Sequence, residues 1–446
     1  MGQEMRTKGL KSVGHAVETE SWTGTGDLRS GVGPGVGMWL LVVWCLFSVT
    51  VCFGQEPDTQ DFQRVTREFG ELSSWQSRQG YDRVPISEKL LLGIPPRREG
   101  FTPRLSVTEV YTDNVFLTAD RRGTDWITKI SPGLNYLLSG GKGQLSADYS
   151  VESRIYARNA DENTAASRHN GEVFGLWTVS NRTTLTLFDR FESFQDPTEQ
   201  NVPGLLSTFG RTSINLIALG VKHQMTPSVD FMGSYANFRF SVDRLGAIDS
   251  STHEGEVGVR VRESRRGRIT AKYRFRFFDF ELGRDLRSHS VLLGQEMDLS
   301  ETLVVSGTIG AVHVEPNPLT VDVLAQVSIK KSFENAIYEL GYMRDAFPPS
   351  GGLGQPIVGD FVRASAKVRL VNDVLFDAGL VWILSDTSSN DFTVHTLKWN
   401  VGISYAPKPW LMARLGYDMF DQREDILGTS ADRLAKKVSL RMTATF

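Results

Sequence analysis

Cysteine is almost absent from this chain of 446 residues. The two present, Cys45 and Cys52, both fall inside one apolar run, Met38 to Gly54, "MWLLVVWCLFSVTVCFG". Beyond that run no thiol is available, which excludes a disulfide framework, thiolate metal sites and a cysteine nucleophile together. Excess charge is lacking as well. The net charge is -3 and the pI about 6.2, so there is no bulk basic footprint for nucleic acid. Mean hydropathy is -0.22 and no second long apolar run occurs, which argues against a bundle of membrane helices. Catalytic motifs are missing too: there is no nucleophile elbow, no paired-histidine metal motif and no phosphate loop. The seven histidines, His15, His169, His223, His253, His289, His313 and His395, are scattered without metal-ligand spacing. His289 and Ser290 are adjacent, which on a strand points them to opposite faces. The chain reads as a non-enzyme with no cofactor and no metal.

The run from Met38 to Gly54 carries no charge, is short for a membrane anchor, ends in small residues and is followed by polar, turn-rich sequence. It fits the apolar core and cleavage region of a secretory signal, which predicts residues 1–54 as a removed leader cut near Gly54. Residues 1–37 hold Arg6, Lys8, Lys11 and Arg29 without hydrophobic periodicity. They are either a long n-region or the product of too early a start. Residues 55–100 read as a polar periplasmic segment, with "DFQRVTREFGELSSW" as a short amphipathic helix and "GIPPRR" as a linker.

From Phe101 to Phe446 the texture changes to alternating segments of 10 to 15 residues. In "QLSADYSVESRIYAR", Leu145, Ala147, Tyr149, Val151 and Ile155 alternate with Gln144, Asp148, Glu152, Arg154 and Arg158. In "EVGVRVRE", Val257, Val259 and Val261 oppose Gly258, Arg260 and Arg262. In "RITAKYRFRF", Ile269, Ala271, Tyr273, Phe275 and Phe277 oppose Thr270, Lys272, Arg274 and Arg276. In "VRASAKVRL", Val362, Ala364, Ala366, Val368 and Leu370 oppose Arg363, Ser365, Lys367 and Arg369. Successive side chains point to opposite faces of a strand, so each segment has one apolar and one charged face. Ile214 to His223 is ambiguous by this test.

A soluble sandwich also alternates, and the connections separate the two cases. Short ones occur near "SGGKG", Asn181-Arg182, "TPSV", Arg265 to Gly267, Glu301-Thr302, Glu334-Asn335, Asn372-Asp373 and "PKP". Between them lie longer ones: Ala119 to Asp125, Asn159 to Ser167, Gln195 to Arg211, Phe347 to Gln355, Ser385 to Asn390 and Gln422 to Ala431. A sandwich has no reason to sort its loops by parity, whereas an outer-membrane barrel has tight turns at its periplasmic end and longer loops outside. The segments predict an all-β, transmembrane antiparallel barrel of about 18 strands, within a range of 16–20.

A barrel must close, because an unpaired strand edge is expensive in lipid. That makes "KKVSLRMTATF" the seam strand, paired with the segment near "RLSVTEVYTDNVFL". Its alternation, with Leu440, Met442, Ala444 and Phe446 on one face, also resembles the terminal signal read by the barrel-insertion machinery. Residues 106 to 136, "SVTEVYTDNVFLTADRRGTDWITKISPGLNY", resemble the opening of a family of outer-membrane β-barrel porins associated with exopolysaccharide gene clusters. The Tyr-Thr-Asp-Asn-Val stretch and "ISPGL" carry the likeness; beyond them the match is one of pattern, and the long amino-terminal extension is a departure. The resemblance implies a bacterial outer-membrane barrel and leaves its cargo open.

If the apolar parity faces lipid, the lumen receives Arg260, Arg262, Lys272, Arg274 and Arg276 from one hairpin. Arg363, Lys367 and Arg369 come from a strand expected across the barrel, with Lys398 and Arg414 close behind in sequence. Guanidinium groups in a wet channel favour anions. Asp148, Glu152, Glu254, Glu256, Asp298, Asp322, Glu339, Asp377 and Asp418 share that face and could neutralise much of the wall. The function expected is a porin-like channel for anionic solutes or exopolysaccharide export, with outer-membrane lipid and the insertion machinery as partners. The alternative is a plugged or structural barrel that anchors an envelope or polysaccharide-secretion complex through residues 55–100; a barrel hydrolase comes third. Two loops stand out. "QNVPGLLSTFGR" is too apolar for a freely solvated loop and would constrict or cap the pore, while "FPPSGGLGQP" reads as flexible.

Overall fold

In the computed structural model, the described residues are 99–446, less 120–122, 197–210, 244–248, 282–284, 316–320, 348–356, 387–391 and 427–428. The expected leader and its cleavage point, the amphipathic helix and linker of 55–98, and the loops "QNVPGLLSTFGR" and "FPPSGGLGQP" fall outside these residues, apart from their outermost positions.

Eighteen strands follow one another. The first nine are β1 (Gly100–Thr112), β2 (Asp125–Gly140), β3 (Gly143–Tyr156), β4 (Thr164–Ser180), β5 (Thr183–Phe194), β6 (Arg211–Thr226), β7 (Val229–Asp243), β8 (Ser250–Arg262) and β9 (Gly267–Phe280). The second nine are β10 (Leu286–Ser300), β11 (Leu303–Glu315), β12 (Val321–Ser332), β13 (Ala336–Phe347), β14 (Ile357–Val371), β15 (Val374–Asp386), β16 (Phe392–Lys408), β17 (Leu411–Ile426) and β18 (Thr429–Thr445). Each pairs antiparallel with its chain neighbours, and β1 also pairs with β18, so the sheet is a closed ring. A single 3₁₀ turn, Ala160–Glu162, is the one helix among the described residues, and no described helix is long and apolar enough to cross a membrane.

The seam forms as the alternation requires. Arg104 lies opposite Thr445, Thr108 opposite Arg441 and Thr112 opposite Lys437. The N–H of Phe446 donates to the carbonyl of Pro103 at 2.9 Å, so the strand is held to its last residue. Closure leaves no unpaired edge at the seam.

The apolar parity faces outward. Leu134, Val257, Val291, Ile309, Leu415, Leu440 and Met442 are all 43–66 % exposed, while inward neighbours such as Asn135, Glu256, Ser290 and Leu292 are buried. Soluble surfaces rarely carry a continuous apolar belt of this kind. Aromatic pairs mark its limits on β1 and β2: Phe101 with Tyr136 near the short-turn end, and Tyr111 with Trp126 near the long-loop end. Ten residues of β1 separate the two levels; at about 3.3 Å per residue and a tilt of about 40° the span is about 25 Å, the height of an apolar band in a lipid-embedded barrel.

All eight short turns fall where the loop parity puts them, but the longer connections need correction. Gln422 to Ala431 is not a long loop, since β17 runs to Ile426 and β18 resumes at Thr429. There Arg423 pairs with Asp432 at 2.9 Å and Arg433 with Glu424 at 3.0 Å, so both faces of this hairpin are charged and the alternation signal vanishes although the strands continue. The Asn159–Ser167 connection is shorter, because β4 begins at Thr164. Ile214 to His223 lies within β6. Three further long-end connections, after β7, β9 and β11, had no sequence signal strong enough to mark them.

Candidate functional site in the barrel lumen

All ten basic residues read as lumen candidates lie on the inward parity of their strands, alternating with outward residues such as Val259, Tyr273, Leu370, Ile403 and Leu415. Their surroundings differ. On β9, Lys272 is 2.8 Å from Glu256, and Arg274 is 3.2 Å from Glu256 and 3.7 Å from Glu254. Arg276 is 1 % exposed and lies 2.7 Å from Glu254 and 3.0 Å from Asp345. Arg274 reaches Asp345 as well, at 3.4 Å. The guanidiniums and carboxylates of this cluster offset one another, as buried charges must. Arg260 is buried opposite Asp230 in the register, and Arg262 is exposed at the short-turn rim.

Arg363, Lys367 and Arg369 are half-buried on β14, which is five strands from β9 rather than across the ring from it. Arg414 donates to Asp377 at 2.5 Å, Lys367 faces the same Asp377 in the register, and the Lys398 ammonium sits 5.1 Å from the Phe420 ring centre. The wall from β14 to β18 thus carries Arg363, Lys367, Arg369, Lys398, Arg414, Arg433, Lys437 and Arg441 inward, against Asp377, Asp418 and Glu424. Bases outnumber acids on this side; on β8 and β9 the inward bases Arg260, Arg262, Arg268, Lys272, Arg274 and Arg276 also outnumber Glu254 and Glu256, but Asp345 of β13 adds a third acid to the Lys272–Arg274–Arg276 cluster.

The lumen has two levels. Its short-turn half is lined by paired, partly wet charges: Arg104 with Asp148 at 2.6 Å, Arg268 with Glu296 at 2.9 Å and Lys330 with Glu339 at 3.4 Å. Its long-loop half carries inward apolar side chains. Phe188, Phe194, Ile214, Leu216, Ala236, Phe238 and Phe240 form one cluster across β5 to β7, each at most 4 % exposed. Others join Leu292, Val312 and Leu324 on β10 to β12, and Met343, Phe361, Val381 and Ile383 on β13 to β15. These side chains pack against one another along the wall and are shielded from solvent. The segment after β1 also folds against the wall. There Asn114 donates from Nδ2 to the carbonyls of Thr118 and Leu434, both at 2.9 Å, and Leu117, at φ 51°, packs on Phe420 and Ala435. Sequence reading missed this layer, because an inward phenylalanine breaks the rule that the charged parity is the inner one. Beside the β9 arginines, Thr252, Ser288 and Ser290 have buried hydroxyls with no partner among the described residues.

The histidines among the described residues, scattered in sequence, lie on the outer face. Tyr149, Tyr235 and Tyr273 share hydrogen bonds of 2.9, 2.8 and 2.7 Å with Nδ1 of His169, His253 and His289. His289 faces His313 across the β10–β11 register, while Ser290 points inward as adjacency requires. Among the described residues no group of His, Cys, Asp and Glu could hold a metal.

No family model and no curated protein matches the chain. Solved structures of large barrels align with it at low identity. OccAB4 of Acinetobacter baumannii aligns over 79 % of this chain and 100 % of its own, at 12 % identity and a TM-score of 0.42. OccK9 (OpdG) of Pseudomonas aeruginosa aligns over 78 % and 100 %, at 12 % identity and 0.41. The siderophore receptor PirA of Pseudomonas aeruginosa aligns over 79 % and 81 %, at 9 % identity and 0.38. Likenesses this low say nothing about what the chain binds or passes.

Proposed function

We propose that this chain is a non-enzymatic channel of the bacterial outer membrane that passes anionic solutes, small organic anions or acidic polysaccharide among them. Support for the membrane location is the outward apolar belt bounded by aromatic pairs on a closed ring of strands. The short turns then face the periplasm and the long loops the exterior.

The single observation that carries the anion preference is the surplus of bases on the inner wall from β14 to β18. Guanidinium keeps its charge at every working pH and forks onto carboxylate. Arg274 and Arg276, which the sequence also offers, contribute less, because Glu254, Glu256 and Asp345 offset them. The test is the reversal potential of the refolded protein in a planar bilayer under a salt gradient. Anion preference that falls toward unity in Arg363→Gln/Lys367→Gln/Arg369→Gln supports the reading; cation preference in the parent protein sinks it.

A second reading has its own support. The water-excluded apolar layer at the long-loop end suits a barrel closed at rest, either gated or structural. A correctly inserted but silent protein would favour it and would turn attention to residues 55–100 as a docking arm for an envelope complex.

A further inference from the structure

The strand register carries one set of inward side chains from β14 to β3. Arg369 stands opposite Leu375, Leu375 opposite Ser404, Ser404 opposite Arg414, and Arg414 opposite Arg441. Across the seam Arg441 faces Thr108, Thr108 faces Lys129, and Lys129 faces Arg154. Five of these residues are bases and none is an acid. The next inward row toward the long-loop end is different, with Lys367, Asp377, Gly402, Gly416 and Ser439 in register and one charge of each sign.

Such a row runs at right angles to the strands, so in a tilted barrel it climbs the wall. Arg369 lies two residues from Val371, the short-turn end of β14. Arg154 lies two residues from Tyr156, the long-loop end of β3. Seven strand steps of about 4.8 Å make about 34 Å of row, which at a tilt of about 40° rises about 22 Å. That is close to the height of the apolar band, so the bases lead from one mouth to the other.

Placing Arg414 directly opposite Arg441 works against the fold, because like charges across a strand pair repel. The acids beside the row come from outside it. Asp377 accepts from Arg414 at 2.5 Å, and Glu152 lies 2.7 Å from Arg154 and 3.8 Å from Lys129. Asp196, just beyond β5, lies 3.8 Å from Arg154 and 2.5 Å from Lys437. Carboxylates of the chain itself thus sit at both ends of the stretch from Arg414 to Arg154, and Arg441 between them is exposed. We infer that this row is a binding track for carboxylate-bearing solutes, with Arg441 as its open centre. Guanidinium forks onto carboxylate. Arg414 and Arg441 offer two forks from strands about 4.8 Å apart, which suits a solute with more than one carboxylate. The inference deepens the channel reading and rests on it for the route between the mouths, but it moves the decisive residues past the seam to Arg441, Lys129 and Arg154.

The test uses full-length protein folded in detergent micelles, with heat-modifiable migration as the check on folding. Binding of carboxyfluorescein, a dye with several negative charges, is read by anisotropy in about 0.1 M salt, where charges more than about 10 Å away are screened. Losing two charge-assisted hydrogen bonds in Arg441→Gln/Lys129→Gln should weaken binding at least about tenfold. Arg262→Gln/Lys330→Gln removes the same charge from inward positions off the row, and should weaken it less than about twofold. Equal weakening by the two pairs, or no binding by the parent protein, overturns the track. Succinate should displace the dye at an ionic strength where chloride does not; equal displacement by the two overturns the assignment to carboxylates. Reversal potentials of the same proteins separate the track from the channel. An anion-selective parent whose dye binding survives in Arg441→Gln/Lys129→Gln keeps the channel and overturns the track. A silent or cation-selective parent that binds the dye, with binding lost in that pair, supports the track and overturns the channel.

Discussion

Arg276 is among the most deeply buried charged residues of those described. It is 1 % exposed and held by Glu254 and Asp345, which are 3 % and 6 % exposed at their side chains. Taking one partner from such a cluster leaves the others buried and uncompensated, at a cost of about 3–5 kcal/mol. Arg276→Ala should therefore lower the urea midpoint of the micelle-folded protein well beyond Lys330→Ala, whose partner Glu339 stays wet. Equal effects would mean that Arg276 is better solvated than its burial indicates. Ser288 offers the opposite expectation. Its hydroxyl is buried without a described partner, so Ser288→Ala removes nothing that is satisfied and should leave stability within about 0.5 kcal/mol. Face matters as much as burial. Leu440→Arg places charge on the lipid side and should cost about 2–4 kcal/mol if it lies near the bilayer midplane, whereas Ser439→Arg, one residue away and inward, should cost much less in the same refolding titration.

At the scale of elements, the last strand closes the ring, and its pairing with β1 runs from Arg104–Thr445 to Thr112–Lys437. Deleting residues 437–446 would leave β1 with an open edge in lipid. The expected result is loss of the heat-modifiable, compact form on electrophoresis. Phe446→Ala is a gentler change, since the residue is 72 % exposed and its backbone bond to Pro103 survives. Refolding into protein-free vesicles should be unaffected, while insertion assisted by the cellular machinery should slow if the terminal alternation is read as a signal. The hairpin of β17 and β18 shows where alternation stops being informative: at its long-loop end, Arg423–Asp432 on one face and Arg433–Glu424 on the other are both charged. The end of β13 shows a second limit: its ladder with β12 stops at Arg344, next to an Asp345 bonded to an arginine far away in sequence.

For the whole molecule, the proposed channel would take its ion preference from the charged half of the lumen and its resistance from the apolar half. Asp345→Ala, by freeing the β13 tip from Arg276, should raise single-channel conductance if that tip narrows the lumen. Anion preference should weaken as salt rises, because charges more than about 10 Å away are screened at 0.1 M. A preference unchanged between 0.1 M and 1 M salt would place selectivity in a tight, dry contact instead of the β14–β18 wall. By itself the sequence determined that strands form, which face of each is apolar, that their number is large and even, and that tight turns gather at one end. Those properties are local: a period of two and a turn need only a residue and its near neighbours. Which acid meets which base, that Phe188, Phe238 and Phe240 turn inward to pack, and that β12 and β13 part company were decided only by the tertiary structure. Each depends on the register between strands and on ring closure, which bring Arg276 and Asp345 together from 69 positions apart.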